Sequence, residues 1–141
     1  MGSVRNRPVS RRSFFTLIEI MIVVVIIGLI MTLVGPDVIK KLKKAQSATA
    51  RNQIHLLGNA IDDYYLDLST YPSKMEDLIA NPGNPKWDGP YLKPPKIPKD
   101  PWGNDYHYQC PGQHGAYDIY SYGSEGSPGG QGEAADVNNW E

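Results

Sequence analysis

Phe15-Thr16-Leu17-Ile18-Glu19 leads into Ile20-Met-Ile-Val-Val-Val-Ile-Ile-Gly-Leu-Ile-Met-Thr-Leu-Val34, so one carboxylate stands near the mouth of a long apolar run. Fifteen of the residues from Phe14 to Val34 are Phe, Leu, Ile or Val. Each favours membrane insertion by roughly 0.3 to 0.6 kcal/mol, whereas an acid at the helix centre opposes it by roughly 2.5 to 3.5 kcal/mol. Insertion therefore wins. At about 1.5 Å per residue, Phe15 to Val34 forms a helix roughly 30 Å long, the thickness of bilayer hydrocarbon. An acid at that depth marks a functional pairing position, and Glu19 is expected to find no partner within its own helix. A cleavable secretory signal is disfavoured because no small-x-small site closes the run.

The chain has 141 residues, and outside the leader and the membrane run enough sequence remains for one small domain. Its net charge of −1 conceals a split: up to Arg51 nine Lys and Arg stand against two acids, and beyond it five stand against thirteen. Arg5, Arg7, Arg11 and Arg12 precede the apolar run and favour a cytoplasmic leader, but Lys40, Lys41, Lys43 and Lys44 follow it. Charge alone therefore leaves the orientation open. Cys110 is the only cysteine, which excludes an internal disulfide; a plain, partly buried thiol is expected.

Four segments follow. Residues 1–14 are a polar leader, 15–34 a transmembrane helix segment, 35–68 an amphipathic continuation of the long helix, and 69–141 a small α+β head. Gly35-Pro36 predicts a kink or melted turn, because proline lacks an N–H and crowds the preceding turn. Beyond it Val38, Leu42, Ala45, Thr49, Leu57, Ile61, Tyr64, Tyr65 and Leu68 recur at mostly three- and four-residue intervals, one stripe of a helix. Ser69-Thr-Tyr-Pro72 stops that helix. Ser73-Lys-Met-Glu76 matches a capping box that opens a short helix to about Ala80. The Pro- and Gly-rich stretch after it interleaves Trp87, Tyr91, Leu92 and Trp102, so it reads as an ordered loop. Residues 106–109 and 116–122 read as strands joined by the turn at 110–115, giving a small antiparallel sheet on the long helix.

The Phe15-to-Glu19 motif and its apolar run resemble the N-terminus of type IV pilins and type II secretion pseudopilins. The resemblance implies a type IV pilin-like α+β fold, and cleavage by a prepilin peptidase between Phe14 and Phe15 with N-methylation of Phe15. It implies too that Glu19 pairs with the new α-amino group of a neighbouring subunit, and that Pro36 stands where filaments lose helicity. That family usually has Gly before the cut. With Phe14 there instead, either the peptidase tolerates it or cleavage is slow or displaced.

Tyr71-Pro72, Trp87-Asp-Gly-Pro-Tyr-Leu92, Asp100-Pro-Trp-Gly103, Tyr106-His-Tyr108, Pro111-Gly-Gln-His-Gly115, Asp118 and the tail from Ser121 to Trp140 are similar to the major, G-type pseudopilins of type II secretion. The resemblance implies a non-enzymatic, homopolymeric filament subunit. It implies minor pseudopilins, a membrane platform protein and the prepilin peptidase as partners, and no nucleic acid. The chain would sit once across a bacterial inner membrane, N-terminus cytoplasmic and head periplasmic, and assemble into a periplasmic pseudopilus. In that family the glycine-rich loop wraps Ca²⁺. Matched here, Glu125 and the Tyr122 carbonyl are ligands, and Glu133 or Asp136 takes the place of an acid absent near Gly132.

Other readings compete. His107, Cys110 and His114 have metal-ligand character, but a tetrahedral site needs a fourth ligand and none is adjacent. A hairpin turn supported by hydrogen bonds to Asp118 is expected instead, with Trp87, Trp102 and Trp140 as packing anchors. A type IV pilin for adhesion, motility or DNA uptake is one alternative, and a membrane-anchored hydrolase or metal-binding module the other.

Overall fold

The computed structural model describes residues 15–130 and 135–141. Helix α1 (Leu17–Leu68) is followed by a 3-10 turn (Met75–Leu78), strands β1 (His107–Gln109) and β2 (Asp118–Ser121), a second 3-10 turn (Gly123–Glu125) and strand β3 (Val137–Asn138). The chain divides into two compact units, Met1–Ile39 and Lys40–Glu141.

In the first unit every side chain from Leu17 to Val34 is exposed. A helix apolar on all sides and covered by none of the described residues has the pattern of a membrane span. It is long and apolar enough to cross one. Pro36 lies inside α1, so the expected melted turn is not present. Proline removes one donor from the ladder, and the intact bonds on either side are enough to carry the helix through.

In the second unit, the buried residues of α1 are Ala50, Ile54, Leu57, Ala60, Ile61, Tyr64 and Leu68. Apart from Ala60 they alternate four- and three-residue steps, one face of a helix. The stripe expected from the sequence began too early. Val38, Leu42, Ala45, Thr49 and Tyr65 are exposed, because periodicity identifies a face without saying how much of it other residues cover. From Ala50 onward the face is covered by Met75, Leu78, Leu92, Tyr106, Ile119 and Val137. Each fully buried Leu, Ile or Val there stabilises the head by about 1.5 to 3 kcal/mol relative to exposure.

Tyrosine hydroxyls tie the head to its helix. Tyr106 donates to Gln53 Oε1, Tyr117 to Asp62 Oδ1 at 3.2 Å and Tyr91 to Asp67 Oδ2 at 2.8 Å. The rings bury apolar area while each hydroxyl keeps a partner. Burial raises the Tyr106, Tyr108 and Tyr117 hydroxyls above their ordinary pKa, so they remain donors.

The helix stops where the sequence predicts. Ser69 takes a left-handed φ of 57° and donates its amide to the Tyr65 carbonyl. After it, the short helix is a single 3-10 turn, and Asp77 rather than Glu76 reaches back. Asp77 Oδ2 accepts from the Ser73 amide, the Ser73 hydroxyl and the Lys74 amide. The tighter turn buries Asp77 and leaves Glu76 outside.

The predicted hairpin is present, with β1 antiparallel to β2 in the register His107 to Tyr120 and Gln109 to Asp118. Strand β3 is an addition, pairing Tyr120 with Asn138 and Ser121 with Val137. Two residues are too few to show alternation in a sequence. Asn139 extends the pairing, its side-chain oxygen accepting the Ile119 amide at 2.8 Å.

Candidate functional site

The start of α1 positions Glu19. Thr16 stands three residues earlier, and the two form a reciprocal cap: the Glu19 amide donates to Thr16 Oγ1 at 3.3 Å, and the Thr16 amide donates to Glu19 Oε2 at 3.4 Å. Glu19 therefore does have a partner in its own helix, contrary to the expectation. The Thr-x-x-Glu spacing of a capping box was visible in the sequence. Placement in the first turn also sets the carboxylate against the positive end of the helix dipole. The contact is long and uncharged, so the carboxylate retains capacity for a cation. Phe15 is exposed beside it, and Phe14 lies outside the described residues.

The second candidate is the glycine-rich loop after β2. Its entrance is fixed by a buried relay that the sequence reading missed. The Asp100 carboxylate accepts the Asn104 amide at 2.7 Å and the Ser121 hydroxyl at 2.6 Å, and Ser121 Oγ in turn accepts the Gly123 amide at 3.1 Å. An aspartate opening an Asp-Pro-x-Gly turn was the available signal. The relay holds the second 3-10 turn, with Tyr122 half-buried at its start and Glu125 exposed at its end. Gly126 at φ 65° and Gly129 at φ 98° then use left-handed conformations that glycine adopts without strain.

At the far side of the loop, Asp136 Oδ2 accepts the Gly129 amide at 3.3 Å. Its other oxygen, Oδ1, is buried and has no hydrogen-bond partner among the described residues. An unpaired buried carboxylate oxygen is costly. Asp136 is among the residues lining a cavity of about 550 Å³, with Tyr122, Gly130, Ala135 and Asn138. A carboxylate oxygen beside a loop rich in backbone carbonyls is donor chemistry suited to a hard cation. Glu133 lies outside the described residues. Among the described residues no three His, Cys, Asp or Glu side chains form a metal-holding group.

The transition-metal candidates go separate ways. His107 stacks on Tyr120 at 5.0 Å, His114 stacks on Trp140 at 4.0 Å, and Cys110 is a half-buried free thiol with Sγ 3.7 Å from the Ala116 carbonyl. Asp118 supports the hairpin turn as expected. It accepts the Gln113 amide at 2.8 Å and the His114 amide at 3.3 Å, and its Oδ2 lies 3.0 Å from His114 Nδ1. Gly112 permits this close packing, since a Cβ there would lie 2.6 Å from Asp118 Oδ1. Trp87 and Trp102 pack against the core, and the Trp87 indole donates to the Asp77 carbonyl.

A membrane-length helix exposed along its first part, with a small antiparallel sheet packed on its second part, defines a pilin-like subunit. The family described as type II secretion system (T2SS), protein G matches residues 37–140. Among curated relatives, the type II secretion system core protein G of Pseudomonas aeruginosa is 45% identical over 140 residues, covering 93% of this chain and 96% of that one. Its counterpart from Vibrio cholerae is 40% identical, covering 95% of each chain. The crystal structure of the major pseudopilin from the type 2 secretion system of enterohaemorrhagic Escherichia coli is 31% identical. It superposes with a TM-score of 0.59, covering 72% of this chain and 87% of that one. The chain belongs to the type II secretion system protein G family.

Burial by itself would raise the Asp118 pKa, but the Gln113 amide and the His114 ring and amide outweigh it and hold the group below the ordinary aspartate value. A depressed carboxylate stabilises the fold fully above its unfolded pKa, near 3.9, and loses that contribution as pH falls through its folded value. Head stability should therefore fall as pH drops below about 4. Asp118→Asn should be less stable at pH 7 by about 1 to 3 kcal/mol and show a flatter decline in that acid range, as read by denaturant titration at each pH. An unchanged acid profile in the variant would remove Asp118 from this role.

Proposed function

We propose that this chain is the major structural subunit of the pseudopilus of a type II protein secretion system, polymerising through its N-terminal helix to drive protein export. One observation carries the mechanism: an apolar stem uncovered from Leu17 to Val34 bears a single carboxylate at its first turn. In lipid the stem is solvated by hydrocarbon, and in a filament the same surface packs on neighbouring stems. Leaving the membrane is thereby offset by subunit packing.

Glu19 sets the register of that packing. The Thr16 amide gives it one long neutral hydrogen bond, and a carboxylate in a low-dielectric setting is far better stabilised by a cation. The amine needed is supplied when peptidase cleavage between Phe14 and Phe15 frees the Phe15 nitrogen, one residue from Thr16. N-methylation keeps its positive charge. A neighbour displaced along the filament by the matching rise presents that amine to Glu19, and any other displacement leaves both charges unpaired. Pro36, lacking a donor, is the place where α1 yields most readily during this packing.

The remaining roles follow from this reading. The subunit is non-enzymatic, crosses the inner membrane once with its head in the periplasm, and meets the prepilin peptidase, a membrane platform protein and minor pseudopilins. Asp136, whose Oδ1 has no partner among the described residues, is the first ligand we assign to Ca²⁺, joined by the Tyr122 carbonyl and by Glu125 or Glu133. The ion would satisfy Asp136 Oδ1 and order a loop with few side chains of its own to pack. So few carboxylates place its affinity in the weak extracellular range, about 10⁻⁴ to 10⁻³ M.

Three outcomes are expected. Intact mass of the membrane-extracted chain should correspond to a start at Phe15 plus one methyl group, and a retained leader would refute the processing step. Glu19→Ala should enter the membrane normally yet give at most a tenth of the filaments seen by shearing and electron microscopy; equal filament yield would deny the carboxylate its role in register. Calcium at about ten times its Kd should stabilise the head by roughly 1.4 kcal/mol, a rise of several degrees in melting temperature. Asp136→Asn should lose most of that rise, and a wild-type head indifferent to calcium would refute the assignment.

A further inference from the structure

Neither the core nor the assembly mechanism uses Lys40, Lys41, Lys43 and Lys44. All four are exposed on α1. The ion pairs among the described residues are Lys99–Asp105 and His114–Asp118, so none of the four is in one. The sequence carries no acid between Asp37 and Asp62. At 3.6 residues per turn the four fall within about 160° of the helix surface, with Leu42 on the opposite side. Leu42 is itself 59% exposed. The segment thus presents a cationic half and an uncovered apolar residue.

Its position in the chain supplies the occupant. Lys40 follows Val34, the end of the apolar run, by six residues, or about 9 Å of helix rise. The headgroup layer extends roughly 5 to 7 Å beyond the hydrocarbon on each side, and a lysine stem bends its ammonium back several ångströms towards that layer. Phosphate oxygens of the lipid surface are therefore the anions nearest to these lysines in a membrane-held chain. Cations flanking a span on the side away from its leader run against the usual charge bias, which calls for a local role.

We propose that Lys40, Lys41, Lys43 and Lys44 form a binding site for anionic phospholipid headgroups, holding the helix exit of the unassembled subunit at the bilayer surface. The inference rests on the membrane-anchored reading above. It makes entry into the filament sensitive to lipid charge, because the four contacts must be released as the stem leaves the bilayer. A second copy's acidic head is the competing partner, and lipid is favoured because it adjoins the lysines before any copy docks.

The processed chain beginning at Phe15, reconstituted in phosphatidylcholine vesicles carrying trace spin-labelled phosphatidylglycerol or spin-labelled phosphatidylcholine, provides the test by electron paramagnetic resonance. The immobilised fraction should favour phosphatidylglycerol by about threefold or more at low salt and approach equality at about 1 M salt, where the Debye length is about 3 Å. Replacing all four lysines with glutamine should abolish the preference, and replacing all four with arginine should keep it. Head melting temperature should stay the same in both, since the side chains are exposed. Equal immobilisation of the two lipids by the wild type, or an undiminished preference in the glutamine variant, overturns the proposal. So does a glutamine variant that keeps its lipid preference but loses cross-linking between copies, which would assign the lysines to subunit contact. Failure of the wild-type chain to float with phosphatidylcholine vesicles would overturn the anchored reading itself, and is separately visible.

Discussion

A carboxylate held at the first turn of an uncovered apolar helix is the constraint on which this protein depends. The helix dipole and the Thr16 amide lessen the cost of Glu19 without neutralising it. In the proposed function, the remaining demand for a positive charge is what would distinguish a polymerising stem from a passive anchor. A uniformly apolar stem could slide against its neighbours with little change in packing, whereas one with a single charge has a preferred displacement. Specificity of register is the best-attested use of an isolated polar group on an apolar helical surface.

The head serves a different purpose, and it is built with aspartates in a consistent way. Asp77, Asp100 and Asp118 are nearly inaccessible, and each collects backbone amides or hydroxyls from a turn: Ser73 and Lys74, then Trp102, Asn104 and Ser121, then Gln113 and His114. Satisfied in that manner, buried carboxylates act as fasteners for a fold with very little regular strand. Asp136 departs from the pattern. One of its oxygens accepts the Gly129 amide and the other accepts nothing among the described residues. Its buried Oδ1, without a partner among the described residues, makes it the first donor assigned to the proposed cation.

Within the second unit, the link between the head and the later part of α1 runs through aromatic residues. Tyr91, Tyr106 and Tyr117 each place a ring against the core and a hydroxyl on a side chain of α1. Such contacts fix the azimuth of the head about its helix, since the hydroxyl partners Asp67, Gln53 and Asp62 occupy definite positions on the helix surface.

Much of this was legible in the residues. Hydrophobicity is local, so the apolar run, its length and its lone acid could be read directly, as could the stop at Ser69 and the aromatic hairpin around Pro111 and Gly112. Family resemblance suggested the pairing role proposed for Glu19 and the search for oxygen ligands near Tyr122. Other features needed the folded chain. Burial on α1 starts at Ala50 and not at Val38, Asp77 takes the cap that Glu76 seemed to offer, and Val137-Asn138 becomes a strand only because β2 lies beside it. The relay through Asp100 and Ser121 joins residues 21 apart in sequence. Nearest-neighbour chemistry and helical period are properties of a linear chain, whereas cover, register and the loneliness of an oxygen depend on which distant segments arrive.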